Sequence, residues 1–177
     1  MTREIATLSL AVITIVITAI SVYTDIRWGK IFNAFTLPAL GLGLVINGVA
    51  RGTGGLWLSG EGLLLGFGLF VVSAVFGRLL GGGDVKLLMA IGALQGPHFL
   101  MFTLLYMALT GAALAIAVGL YHGILGQRLR ALAASCYLRA AQGVPMEMNE
   151  TGGGPRLPYA IAIGVGSLTT LVLTRGW

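Results

Sequence analysis

Charge is what this sequence has least of. Asp, Glu, Lys and Arg make up 10% of its 177 residues, against 56% hydrophobic. A soluble domain of this length needs far more charge to cover its surface. Cysteine is almost absent: Cys136 is the single one. That excludes an internal disulfide and a cysteine-rich zinc site. The two histidines, His98 and His122, have no metal-ligand spacing, so neither a metal nor a cofactor is expected. Acids number six: Glu4, Glu61, Glu147, Glu150 and two aspartates, Asp25 and Asp84.

What is present is long apolar runs. A run of about 20 residues spans roughly 30 Å of hydrocarbon. Runs fall at about 5–23, 31–50, 56–76, 84–96, 99–121 and 157–174. The fourth is short and needs a thinned or protein-buried position. Pro38 falls inside the second run, where a membrane helix tolerates it, and Pro158 suits the start of the last. The first run lacks a clear cleavage site before Asp25 and reads as a retained helix. The expected fold class is therefore all-α. It is a polytopic membrane protein of six transmembrane helices, forming a single domain over 1–177. Its 28 glycines let such helices approach closely.

The net charge of +5 does not point to nucleic acid here, because the basic residues sit in short loops between apolar runs. Eight of the 11 Lys and Arg fall in the loops after runs one, three and five. The positive-inside rule puts those loops in the cytoplasm and both termini outside. Without the short fourth helix this bias would vanish. The cytoplasmic stretch 122–156 divides in two. Residues 127–142 carry Leu129, Leu132, Cys136 and Ala140 at helical spacing among arginines, which suggests a helix lying on the inner membrane surface. Residues 144–155 read as a loop.

The charge count thus brings Asp25 and Asp84 to the same membrane face at similar depth. Two carboxylates sharing one proton can hydrolyse a peptide bond. The ionised member takes a proton from water, and the other donates to the carbonyl oxygen. Asp25 taken alone reads as a solvated loop acid, expected in a polar loop over 24–30. Asp84 follows Gly81, Gly82 and Gly83, a run permitting close approach, or it is only an N-cap.

These residues resemble a family. Gly81-Gly82-Gly83-Asp84 fits the G-x-G-D signature of intramembrane aspartyl proteases. The extension Val85-Lys86-Leu87 is similar to the type IV prepilin peptidase form. Asp25-Ile26-Arg27, with Asn33 after it, resembles the family's D-x-R-x-x-I-P-N segment, with Phe32 where proline is usual. Arg156-Leu157-Pro158-Tyr159-Ala160 resembles its P-Y-A helix start. Residues 25–30 alone separate runs one and two, which resembles the minimal CpaA/TadV type without the extra cytoplasmic domain.

The resemblance implies an aspartic endopeptidase with Asp25 and Asp84 catalytic. It would sit in a bacterial inner membrane and cleave a short basic leader from a prepilin at the cytoplasmic face, for type IV or Flp pilus assembly. The implied partners are the prepilin helix and the lipid bilayer. Gly81, Gly83, Lys86, Arg27, Asn33 and Pro158 would support the site. Lys86 and Arg27 would either keep an aspartate ionised or snorkel to lipid phosphate. Asn33 would bond a substrate backbone or only its own helix. Met89, Met101 and Met107 read as packing, and Glu61 as an outer-interface residue. The competing readings are a small transporter, which would place acids near the bilayer midplane, and a non-catalytic pilus or secretion assembly subunit.

Overall fold

Inside a bilayer every backbone N–H and C=O must pair within the protein, and an uncharged run does so by forming a helix. The computed structural model describes residues 2–75, 81–121, 123, 126 and 159–174. The described elements are all helices: α1 Thr2–Trp28, α2 Asn33–Arg51, α3 Thr53–Val75, α4 Gly82–Gln95, α5 Pro97–Tyr121 and α6 Tyr159–Thr174. Four of them, α1, α2, α3 and α5, are long and apolar enough to cross a membrane. The other two are shorter, with 14 residues in α4 and 16 in α6. The surface helix expected over 127–142, the loop over 144–155 and Pro158 lie outside the described residues.

Three boundaries differ from expectation. The polar stretch from Thr24 does not form a loop: α1 continues through Asp25 to Trp28. Polar residues mark where the chain leaves hydrocarbon, but the helix hydrogen-bond ladder continues past that level. It stops at Gly29, whose φ of 62° breaks the helix while its N–H bonds to the Asp25 carbonyl at 2.8 Å. The α2–α3 turn is also tighter than expected, pivoting on Gly52 at φ 63°. And α4 begins at Gly82, so the N-cap is Gly81 and Asp84 stands inside the first turn, where its side chain accepts the Gly81 N–H.

The chain forms two compact units. The first comprises residues 1–110 and 158–177. The second is residues 111–157, of which 111–121 continue as helix.

At the centre of the first unit is α4. It packs against α1, α2, α3 and α6. Leu87, Leu88, Ala90, Ile91, Ala93 and Leu94 are 0% exposed, so the helix is apolar and enclosed from Leu87 to Leu94, while Lys86 before them is exposed. Glycines bring the neighbours close: a Cβ on Gly43 would lie 2.7 Å from the Ala93 backbone, and one on Gly62 would strike the Gly92 carbonyl. Such contacts fit a bundle held by van der Waals packing, where lipid offers no hydrophobic drive between helices.

The far end of α4 raises a polar problem. At about 1.5 Å per residue the helix is about 21 Å long, short of a 30 Å hydrocarbon layer. Its last carbonyls therefore end in the interior and need donors. Asn47 of α2 supplies them: Nδ2 donates to Leu94 O at 3.0 Å and lies 3.3 Å from Ala93 O. The same group reaches Ser59 Oγ of α3 at 2.9 Å. Gly96 then turns the chain at φ 88°, and Pro97 opens α5.

Candidate active site

Asp25 occupies the last turn of α1 and is half-buried. Its Oδ2 accepts the backbone N–H of Ala160, in the first turn of α6, at 3.4 Å. Asp84 is buried in the first turn of α4, and its Oδ2 accepts the Gly81 N–H at 3.2 Å. Each carboxylate therefore faces the positive end of a helix, α6 for Asp25 and α4 for Asp84. Together with residues 29–33 and 81–83 the two acids line one cavity of about 390 Å³.

The glycine run has a local reason. A Cβ on Gly83 would lie 2.9 Å from the Ile31 Cβ, so only glycine lets α4 start this close to the α1–α2 linker. A Cβ on Gly81 would lie 2.8 Å from Asp84 Oδ2, where the carboxylate folds back on the Gly81 N–H. Around Gly82 a Cβ meets nothing within 4 Å. The pattern glycine–any–glycine–aspartate thus follows from one contact at each fixed position.

The supporting residues separate. Asn33 and Gly83 line the cavity with the aspartates. Lys86 and Asn33 are brought together: the ammonium donates to Asn33 Oδ1 at 3.0 Å, tying the second turn of α4 to the first residue of α2. Neither role considered for either residue from sequence includes this bond. Arg27 is exposed, with its guanidinium 5.7 Å from the Trp28 ring centre, and does not line the cavity. Lys30 and Phe32 do, and Phe32 stands edge-on to Trp28 at 6.0 Å. The donor on Asp25 was missed from sequence. The P-Y-A segment marks the start of α6, but the group that reaches the site is a backbone N–H, which no side-chain pattern reveals. Among the described residues, no three His, Cys, Asp or Glu side chains gather as a metal site.

Both aspartates fall within residues 11–116, which match the type IV leader peptidase family. The chain belongs to that family. Membership makes it a protease of the prepilin-peptidase kind, and the apolar helices make it a multi-pass membrane protein. No curated protein and no solved structure gives a significant match.

Proposed function

We propose that this member of the type IV leader peptidase family is a membrane-embedded aspartic endopeptidase. It removes the short basic leader of a prepilin or prepilin-like protein at the cytoplasmic face of a bacterial inner membrane, for type IV or Flp pilus assembly. The observation that carries this reading is the single cavity lined by both aspartates.

Two nearby negative charges repel, so the pair holds one proton between them. The ionised carboxylate takes a proton from a water molecule as its oxygen attacks the scissile carbonyl carbon. The protonated carboxyl donates to the carbonyl oxygen, giving a tetrahedral diol. A proton then passes to the amide nitrogen, the C–N bond breaks, and the carbonyl re-forms. The titration belongs to the pair, and neither role is assigned to one residue. The Ala160 and Gly81 N–H groups hold the two carboxylates in place. The substrate's apolar helix stays in the bilayer while its leader crosses the cavity.

Co-expression with a prepilin substrate tests the reading. Asp25→Asn and Asp84→Asn should each leave the leader uncut on a gel, with the variant protein still inserted. Normal cleavage by either variant overturns the dyad.

A further inference from the structure

A two-carboxylate site works only if both groups sit at one level, yet Asp25 and Asp84 come from different helices. Something must fix how far α4 has slid along α1. At the end of α4 away from the cavity, Gln95 Nε2 donates to Thr14 Oγ1 of α1 at 3.0 Å. Thr14 is buried, and its hydroxyl donates onward to Leu10 O at 2.8 Å.

The spacing of these residues is matched. Eleven residues separate Thr14 from Asp25 on α1, and eleven separate Asp84 from Gln95 on α4. Eleven residues are about three helical turns, roughly 16 Å of rise, and return to nearly the same face. α1 runs toward the cavity from Thr14, and α4 runs away from it to Gln95. A bond between Thr14 and Gln95 at one end therefore brings Asp25 and Asp84 opposite one another at the other. A slip of one residue would shift Asp84 by about 1.5 Å and turn it by about 100°.

The contacts described at the cavity end reach α4 from the α1–α2 linker and from α2, not from the body of α1. Gly83 against Ile31, and Lys86 on Asn33, hold α4 to the α1–α2 linker and the first turn of α2. Asn47 reinforces the far end by holding the Ala93 and Leu94 carbonyls, so the turn bearing Gln95 does not fray.

We propose that the Gln95–Thr14 hydrogen bond, braced by Asn47, is a register pin that levels Asp84 with Asp25. Gln95, Thr14 and Asn47 are positioning residues, three turns from the chemistry. The effect on rate rests on the proposed peptidase reading; the effect on geometry does not.

The full-length protein in membranes provides the test. Gln95→Leu keeps volume and helix propensity and leaves Thr14 bonded to Leu10. Its kcat should fall about 10-fold or more, as misplaced catalytic groups do, with KM within about twofold because no substrate contact is removed. Thr14→Val breaks the bond from the α1 side and should give the same split. The double variant should be no slower than Gln95→Leu alone. An activity-independent arm uses Asp25→Cys and Asp84→Cys with Cys136→Ser, joined by a short bifunctional thiol reagent. Adding Gln95→Leu should slow that cross-link several-fold. Wild-type kcat and an unchanged cross-link rate in both Gln95→Leu and Thr14→Val overturn the pin, and so does a change confined to KM. Should the Asp→Asn variants cleave normally, the two-aspartate reading falls while the cross-link still decides the register.

Discussion

At the scale of single residues, the site depends on atoms that are missing. Gly83 is required because a methyl group would meet the Ile31 Cβ at 2.9 Å. Relieving that contact means lifting the start of α4, and Asp84 with it. Gly83→Ala should therefore cut leader cleavage by about 10-fold or more. Gly81→Ala should do the same by pressing on Asp84 Oδ2. Gly82→Ala, with open space around it, should stay within about twofold of the parent. Cleavage rates of the three variants at equal expression decide this; equal losses at all three positions would mean that the run acts only as a flexible hinge. Much at this scale was legible in the sequence. Both aspartates stand out because ionisable groups are scarce in an apolar chain and costly to place there. The groups that hold them were not legible. Ala160 acts through its backbone, and Asn47, Thr14 and Gln95 are neutral polar residues whose role depends on which carbonyl or hydroxyl they meet.

At the scale of elements, α4 is a short helix that survives because its neighbours carry no side chain where it passes. Gly62 and Gly92 put two backbones in contact, and a side chain at either would strike the other's carbonyl. Backbone cannot step aside as a side-chain tip can. Gly92→Val should destabilise the protein by about 1–3 kcal/mol through overpacking and lower activity as α4 shifts. Gly60 and Gly68 lie on the same α3 helix with nothing within 4 Å. Alanine at either should be neutral or stabilising by about 0.5–1 kcal/mol, since glycine costs a helix that much. Thermal unfolding midpoints in detergent separate the two classes. The elements themselves were readable from hydropathy: the apolar segment Leu87–Leu94, bounded by Gly81–Gly83 and by Gly96-Pro97, gave the short helix. Helix ends were less readable. Hydropathy reports where the apolar run ends, and α1 continues past that point by more than a turn to Trp28, so that Asp25 is carried on helix.

At the scale of the whole molecule, the question is which way the cavity faces. A leader on the cytoplasmic side of a prepilin can be cut only if the cavity opens there. Eight of the 11 Lys and Arg fall in or beside the stretches that follow α1, α3 and α5, with Arg27 at the end of α1 and Lys86 near the start of α4, and the positive-inside rule favours that side as the cytoplasmic one. The cavity lies beside the first of these stretches, at Gly29 and Lys30, and beside the second, at residues 81–83. The α2–α3 turn at Gly52 lies at the other end of α2 from the cavity. α4 begins at the cavity and ends level with Asn47, about one turn short of Arg51, so the bilayer must thin there or protein must shield the end. Cys136 is a built-in reporter, because it falls in the stretch assigned to the cytoplasm. In intact spheroplasts a membrane-impermeant maleimide should leave Cys136 unlabelled and should label it once the membrane is opened. With Cys136→Ser, a cysteine at Gly54, which is exposed and has no neighbour within 4 Å, should label without opening. The reverse pattern at both positions would turn the dyad to the outer face. Leader removal by this cavity would then be impossible even with both aspartates intact, because the scissile bond would lie across the bilayer from them.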